Sequence, residues 1–358
     1  MSADEELTAA YDYDLPSELI AQYPTEPRDA ARLLVLCGDD LGHARFSDLP
    51  KYLAPGDVLV LNETRVIRAR LLGRRATGGT VEVLLLRPAA GDRYDPNARR
   101  WLALLKPAKR LRPSEEISFG ELGSARVCEE NAAHGGREIE LLLRLPFESF
   151  LERAGKLPLP PYVHDDSEAA QRGYQTIFAR NPGSVAAPTA SLHFTENVLD
   201  ALGRRGVQIV KLTLNVGLGT FKPMQTQHVI DHRMHAESYD VPQETVTAVE
   251  QAKREGRRIV ASGTTVVRAL EGCAAQHGRI KAGHSETSLF ITPGFRFRCV
   301  DALITNFHLP RSTLLVLVSA FAGREQIFRA YREAIAQRYR FFSFGDAMLL
   351  LPAAPISR

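Results

Sequence analysis

The stretch DALITNFHLPRSTLLVLVSAFAG, residues 301–323, decides the fold because it sets a short polar segment between two strongly apolar runs. The first run predicts a buried strand over 300–304, and the second predicts a helix over 314–321. Pro310, Ser312 and Thr313 suit the start of that helix. Ligands bind at the carboxyl ends of strands in open α/β sheets, so the turn between these elements is predicted to face a substrate.

The polar side chains of this turn are Thr305, Asn306, His308 and Ser312, and they have two interpretations. They can bind a substrate, with backbone N–H groups beside them. They can also be ordinary turn and cap residues, since Thr305 and Asn306 suit hydrogen-bonded turns and His308 can be a structural histidine. The residues alone leave both interpretations open.

A second segment, SVAAPTASLHFT at 184–195, repeats this pattern before a predicted helix over 196–205. Its small residues would let a ligand approach the backbone closely, and His193 is the titratable group nearby. The alternative is a tightly packed loop in which His193 is structural.

A third motif, RRIVASGTTVVRALEG at 257–272, predicts a strand that ends at Ser262 and Gly263, followed by a helix that Thr264 and Thr265 open. Such a turn is a cradle for an anion or polar ligand, and an ordinary helix cap explains it equally well. Because the Walker lysine and its glycine spacing are missing, a nucleoside triphosphate site is not indicated.

Two further motifs give weaker evidence for a ligand site. LTLNVGLGTF at 212–221 predicts a strand that runs into Gly217 and Gly219, but Pro223 argues against an immediate helix, so a Rossmann nucleotide site is poorly supported. HRMHAE at 232–237 places two histidines near Glu237 without the spacing of a known metal motif. We therefore expect no metal.

Composition narrows the class of protein. With 358 residues and 44% hydrophobic side chains, the chain can form a large core in two or three domains. No apolar run is long enough to cross a bilayer, and the acidic start MSADEEL is not typical of a signal peptide. The four cysteines are scattered, as free thiols in a reducing compartment would be. We expect a soluble cytoplasmic protein.

The positive charges are clustered, although the net charge is only +3. The clusters lie at 65–75, 106–112 and 253–258, and phosphate backbones require spaced cations of this kind. The alternative is a solvated surface, because Arg68 and Arg70 alternate with apolar residues as the exposed side of a strand would.

Two kinds of segment indicate two domains. Residues 65–146 contain short strand-like segments separated by Gly, Pro or Asp turns, which predicts a small antiparallel β-barrel. From residue 196 onward helices alternate with strands, which is typical of an α/β layer. We therefore predict a mixed-sheet α/β core domain over 1–63 and 150–358, with a β-barrel domain inserted at 64–149.

The ordered motifs resemble the S-adenosylmethionine:tRNA ribosyltransferase-isomerases of queuosine biosynthesis almost end to end. The motifs are EPRDAARLLVL at Glu26, LNETRVIRARL at Leu61, GKLPLPPYV at Gly155, YQTIFA at Tyr174, SVAAPTASLHFT at Ser184, VGLGTFKPM at Val216, HRMHAE at His232, SGTTVVRALE at Ser262, TNFHLPRSTLL at Thr305 and FFSFGDAMLL at Phe341. The chain departs from the pattern associated with this family at Ser191, Asn215, Ala236 and Ser262, where we expect glycine, histidine, serine and a larger apolar residue.

The resemblance implies transfer and isomerisation of the ribosyl part of S-adenosylmethionine onto the aminomethyl-deazaguanine base at a tRNA wobble position. The product would be epoxyqueuosine, with adenine and methionine released. It also implies an α/β core with an inserted β-barrel, S-adenosylmethionine as cosubstrate, tRNA as partner and no metal. We expect a monomer without an obligate protein partner.

The motifs supply three sets of candidate residues. The candidate catalytic residues are His193, His235, Glu237 and His308. The candidate contacts to S-adenosylmethionine are Thr189, Phe194, Gly217, Gly219, Thr220, Phe221, Gly263, Thr264, Thr265, Asn306, Phe307 and Ser312. The candidate contacts to tRNA are Arg28, Arg32, Asn62, Arg65, Arg68, Lys106, Lys109 and Arg268. His193 is the first choice for a base and Glu237 the second, while His308 or Asn306 could assist the leaving adenine.

Two other functions stay open at this point. An RNA methyltransferase would use the same donor, but it would show a glycine turn that leads directly into a helix. A non-catalytic RNA-binding factor would explain the positive clusters but not the polar turns of the α/β part.

Overall fold

The computed structural model describes residues 4–91, 93–108, 111–131, 136–165, 167–217 and 223–351. Internal contacts divide the chain into two compact units. The core unit comprises residues 1–64, 160–179 and 188–358, and the barrel unit comprises residues 65–159 and 180–187.

The elements are numbered in chain order. The strands are β1 Arg32–Cys37, β2 Asp40–Arg45, β3 Val58–Asn62, β4 Thr64–Val66, β5 Arg70–Arg75, β6 Thr80–Pro88, β7 Arg100–Lys106, β8 Glu116–Ser118, β9 Gly123–Asn131, β10 Gly136–Leu143, β11 Gly155–Lys156, β12 Asn181–Ser184, β13 Gln208–Leu214, β14 Glu237–Val241, β15 Ile259–Ser262, β16 Gly283–Thr287, β17 Ala302–Asn306 and β18 Ala347–Leu351. The helices are α1 Phe147–Ala154, α2 Glu168–Gly173, α3 Glu196–Arg204, α4 Gln243–Arg254, α5 Thr264–His277, α6 Thr313–Ala322 and α7 Arg324–Ala336. Short 3-10 helices lie at Asp4–Glu6, Thr8–Tyr11, Ser17–Leu19, Arg28–Ala30, Phe46–Lys51, Gly120–Leu122, Thr189–Ser191 and Val229–Asp231.

The core unit is built on a nine-stranded mixed sheet in the order β16-β14-β13-β3-β15-β17-β18-β1-β2. The four central strands β13, β3, β15 and β17 run parallel. Every residue of β3, β15 and β17 is buried, as expected for strands that are covered on both faces. These strands therefore present their carboxyl ends along one edge of the sheet.

Helix caps fix where the chain turns at this edge. Helix α6 begins after Ser312, whose Oγ accepts a hydrogen bond from the Leu315 N–H at 3.2 Å. Helix α5 begins after Gly263, which has a φ of +95°, a conformation that glycine adopts without the strain of a side chain. Only Gly263 separates β15 from α5, whereas residues 307–312 form a turn between β17 and α6.

The barrel unit is an antiparallel barrel of six strands in the order β5-β6-β7-β10-β9-β8, closed by pairing of β8 with β5. Buried and more exposed residues alternate along β5 and β6, because successive side chains point into and out of the barrel. The buried Trp101 ring stacks on Phe147 of α1 at 4.9 Å. The predicted fold class, a mixed-sheet α/β core with a small antiparallel barrel, is confirmed.

The barrel unit extends beyond the predicted 64–149 for a reason of strand pairing. Strand β11 pairs with β5, which keeps residues 150–159 with the barrel. Strand β12 pairs with β4, which adds residues 180–187. In the part of the chain that the structure describes, none of the helices combines the length and apolar character needed to span a membrane.

Candidate active site

The carboxyl ends of the four central parallel strands form a row of polar side chains. Asn62 ends β3, Ser262 ends β15, Asn306 ends β17 and Asn215 directly follows β13. We call these four residues the polar edge. Since ligands bind at this edge of parallel sheets, the polar edge is the candidate site.

The two histidine-bearing segments of the sequence meet at the polar edge. The Thr189 hydroxyl donates to Asn306 Oδ1 at 2.9 Å. The Asn306 amide nitrogen lies 3.3 Å from Nε2 of His193 and donates to it. This hydrogen-bond chain joins residues that are 117 positions apart in the sequence.

His193 lies in a nearly closed environment. Only 5% of the residue is exposed, and its ring lies against Phe46 with the centroids 5.1 Å apart. Burial, with smaller contributions from the charges of Arg28 and Arg340, lowers the pKa of His193 to about 3. The imidazole is therefore neutral at physiological pH.

His308 is equally buried but has a different setting. Its Nε2 lies 2.8 Å from the Thr305 hydroxyl. Its backbone N–H donates to the Tyr331 hydroxyl at 2.8 Å, and its carbonyl accepts from the Tyr13 hydroxyl at 2.5 Å. Burial lowers the pKa of His308 to about 3. These contacts hold the turn after β17 in place.

Two buried serines connect the 184–195 segment to β15. The Oγ atoms of Ser191 and Ser262 are 2.8 Å apart, and both residues are fully buried. Next to them Thr264 is buried at the start of α5, and the partly exposed Thr265 accepts a hydrogen bond from Asn62 at 3.3 Å. The strand, Gly263 turn and helix have the predicted order, and the hydroxyls of Ser262 and Thr265 bond within the protein.

The Asn62 side chain links the end of β3 to the end of β13 by hydrogen bonds. Its amide nitrogen donates to the Leu214 carbonyl at 3.0 Å, and its Oδ1 accepts from the backbone N–H groups of Thr64 and Leu214. A direct contact to tRNA was predicted for Asn62. Because the residue is fully buried and its amide is engaged on both sides, the structure gives it a bracing role instead.

Glu237 and Arg268 form a buried ion pair, with 5% of each side chain exposed. Arg268 also donates to the carbonyls of Leu289 and Thr287. The Gly217 N–H donates to Glu237 Oε1 at 3.1 Å. Arg268, a predicted tRNA contact, is thus an internal residue that pairs with Glu237.

His235 was predicted as a catalytic residue from the same motif as Glu237. The structure places His235 at the surface, just before β14. Within the described ranges, there is no group of three or more His, Cys, Asp or Glu residues arranged to hold a metal ion.

Two aromatic candidates for contact with the cosubstrate are core residues. Phe194 is fully buried and packs edge-on against Phe46 at 4.9 Å. Phe307 is 1% exposed and packs against Phe341 at 4.7 Å. Ser312 is occupied as the cap of α6. None of the three side chains is free to contact a ligand.

The predicted RNA-binding cations fall into two groups. Arg28 and Arg32 belong to the core unit and bond internally: Arg28 donates to the Gln175 carbonyl at 2.6 Å, and Arg32 lies over the Tyr339 ring at 3.6 Å. Desolvation lowers the pKa of Arg28. In the barrel unit, by contrast, the predicted contacts are exposed. They are Arg65, Arg68 and Lys106.

Four predicted site residues lie outside the described residues. They are Lys109, Gly219, Thr220 and Phe221.

The model of the queuosine biosynthesis protein family matches residues 8–350 of this chain. The chain belongs to this family. A relative from Symbiobacterium thermophilum is 53% identical over 95% of this chain and 98% of its own length. One from Gloeobacter violaceus is 51% identical over 97% of each chain. Both are named S-adenosylmethionine:tRNA ribosyltransferase-isomerase.

A solved structure agrees with this assignment. The crystal structure of S-adenosylmethionine tRNA ribosyltransferase from Thermotoga maritima matches with a TM-score of 0.54 and 38% identity, over 95% of this chain and 99% of that one. The resemblance that the motifs carry is thereby confirmed. This member of the queuosine biosynthesis family is an enzyme of the transferase and isomerase type.

Three residues around the candidate site were not predicted from the sequence. Arg340 influences His193 electrostatically, and Tyr13 and Tyr331 hold the His308 backbone. Arg340 immediately precedes the FFSFGDAMLL motif, but neither its local pattern nor that of Tyr13 points to a site. Only the tertiary contacts identify them.

Proposed function

We propose that this enzyme transfers the ribosyl moiety of S-adenosylmethionine to the aminomethyl-deazaguanine base at the wobble position of tRNA and isomerises it. The product is epoxyqueuosine, and adenine and methionine are released. Membership of the family supports the reaction class, and S-adenosylmethionine acts as cosubstrate. The reaction takes place in the cytoplasm, where the tRNA substrate is available.

The observation that carries the proposal is the hydrogen-bond chain from Thr189 through Asn306 to His193 at the polar edge. Breaking the bond between ribose and adenine builds negative charge on the purine, and a hydrogen-bond donor stabilises that charge. The Asn306 amide donates to Nε2 of His193, so the proton of the neutral ring resides on Nδ1. This N–H is the donor that we assign to the leaving adenine.

This assignment replaces the earlier expectation that His193 is the base. A neutral imidazole whose pKa is about 3 accepts protons poorly at pH 7, but it donates a hydrogen bond at any pH above that value. Glu237 was the second candidate base. Because both of its oxygens accept hydrogen bonds from Arg268 and Gly217, we assign Glu237 to positioning Gly217.

The barrel unit supplies cations for the RNA. Arg65, Arg68 and Lys106 are exposed on it, and Arg68 donates one hydrogen bond to the Glu152 carbonyl at 3.1 Å. Exposed cations on a small barrel can bind the phosphates of an anticodon stem-loop while the target base is extruded from its stack.

Product analysis tests the proposal. The enzyme is incubated with S-adenosylmethionine and tRNA carrying the aminomethyl-deazaguanine base. We expect adenine and methionine in equal amounts, and we expect His193→Ala to lower kcat by roughly 100- to 1,000-fold. Release of S-adenosylhomocysteine would indicate a methyltransferase instead. Binding of RNA without either product would indicate a binding factor.

A further inference from the structure

Of the Phe, Tyr and Trp side chains that the structure describes, Tyr23 alone is exposed, at 65%. It lies in the loop before the 3-10 helix Arg28–Ala30. A single exposed aromatic ring is ordinary on a protein surface, so the contacts around the ring decide what it does.

Arg340 holds this loop in one conformation. Its guanidinium donates to the Tyr23 carbonyl and, at 2.5 Å, to the Thr25 hydroxyl. The same group lies 5.4 Å from the centroid of the Tyr23 ring. Arg340 therefore fixes the backbone beneath the ring and places a positive charge beside it, and the cation–π contact orients the ring.

A second exposed apolar side chain lies on the neighbouring loop. A Cβ at Gly173 would lie 2.8 Å from Pro24, so the end of α2, where the next loop begins, packs closely against the Tyr23 loop. Arg28 donates to the carbonyls of Gly173 and Gln175 in that loop. Two residues further on, Ile177 is 43% exposed.

These loops adjoin the candidate active site. Arg28 and Arg340 brace the two loops, and their charges also act on His193. Arg28 contacts the Leu192 carbonyl directly, at 3.5 Å. Arg28 and Arg340 therefore link the loops that carry Tyr23 and Ile177 to the segment that carries His193.

We propose that Tyr23 stacks on a base of the tRNA anticodon loop, with Arg340 holding the ring in place. The inference rests on the proposed function, because it requires tRNA as substrate. Single-stranded RNA loops are recognised by stacking of unpaired bases on aromatic side chains, with cations beside them for the phosphates. A protein partner would need about 800 Å² of surface, far more than two exposed apolar side chains provide.

Four variants test whether Tyr23 stacks on an RNA base. Tyr23→Ala removes the ring, Tyr23→Phe and Tyr23→Trp keep an aromatic face, and Ile230→Ala is a matched control that removes an exposed apolar side chain, 76% exposed, elsewhere on the core unit. Binding is measured with an unmodified anticodon stem-loop RNA, and KM is measured separately for tRNA and for S-adenosylmethionine. Thermal unfolding confirms that each variant folds.

Loss of one stacked base weakens RNA binding by roughly 5- to 100-fold. We expect Tyr23→Ala to raise Kd for the stem-loop and KM for tRNA within this range, while KM for S-adenosylmethionine stays within about twofold. Tyr23→Phe and Ile230→Ala should behave like the wild type. In Tyr23→Trp, the fluorescence of the introduced indole should be quenched on RNA addition, whereas the signal of the buried Trp101 in the wild type should stay constant.

Two results would contradict the stacking of Tyr23 on RNA and leave the proposed function intact. One is unchanged tRNA affinity in Tyr23→Ala while adenine and methionine are still released. The other is a rise in KM for S-adenosylmethionine alone, which would mean that the ring stacks on the adenine of the donor. Failure of the wild-type enzyme to release adenine and methionine would instead refute the proposed function.

Discussion

Ser191 and Ser262 face each other at the carboxyl end of β15 with their hydroxyl oxygens 2.8 Å apart. Both residues are fully buried, and at both positions a different residue was expected from the sequence. The two serines thus form one buried hydroxyl pair, in which one side chain donates the hydrogen bond and the other accepts it.

Removing one hydroxyl of this pair should destabilise the protein. Ser191→Ala and Ser262→Ala are each expected to lower the free energy of unfolding by about 1–3 kcal/mol, because the remaining buried hydroxyl loses its partner. The double variant should cost less than the sum of the two. Denaturant unfolding measures this, with the exposed Ser17→Ala as control. Strictly additive costs would show that the hydroxyls do not interact.

The depressed pKa of His193 predicts how stability depends on pH. The unfolded chain binds a proton at this histidine near pH 6.5, whereas the folded protein does so only near pH 3. The contribution of neutral His193 to the free energy of unfolding is therefore complete above pH 6.5 and is lost as the pH falls from 6.5 towards 3.

His193→Gln should remove the contribution of His193 to this dependence and leave that of His308. Between pH 7.5 and 5.5 the wild type should lose about 1 kcal/mol more of its unfolding free energy than the variant does. His164→Gln is the control, because that exposed ring is solvated in both states. Parallel stability curves for the wild type and His193→Gln would contradict the burial of a neutral imidazole.

Replacing only one partner of the Glu237–Arg268 ion pair should lower the free energy of unfolding substantially. Glu237→Gln or Arg268→Met leaves a buried charge without its partner and is expected to cost about 3–5 kcal/mol. The exposed pair of Glu168 and Arg172 provides the matched comparison, for which Arg172→Met should cost less than about 1 kcal/mol. Equal costs at the two sites, measured by denaturant unfolding, would contradict the burial of the first pair.

Cations of the barrel unit should account for part of the salt dependence of tRNA binding. For each of Arg65, Arg68 and Lys106 that contacts a phosphate, substitution by alanine should reduce the slope of log Kd against log salt by roughly 0.7–0.9. Lys51→Ala, an exposed cation of the core unit, serves as control. An unchanged slope in the triple variant would assign RNA binding to another surface.

Local patterns predicted several elements of the fold because hydrophobic periodicity is local information. The helix expected over 314–321 is Thr313–Ala322, and the strand expected over 300–304 is Ala302–Asn306. The closing pairing of β8 with β5 joins distant segments, and no periodicity reports such a contact.

The candidate site was predictable as a set of motifs but not as a geometry. Thr189, His193 and Asn306 were all singled out from sequence, yet their hydrogen-bond chain spans more than a hundred residues. Charge was a poor guide to exposure: Arg28 and Arg268 were expected to bind RNA, and both guanidinium groups bond to the protein itself. Burial and partners depend on the tertiary fold, which residue type alone does not reveal.

The most direct test of the polar edge as the active site is a crystal structure of the enzyme with S-adenosylhomocysteine bound. We expect the adenine to lie at the carboxyl ends of β15 and β17, with a ring nitrogen within hydrogen-bond reach of Nδ1 of His193. Adenine bound away from this edge, with His193 still enclosed by Asn306 and Phe46, would contradict it.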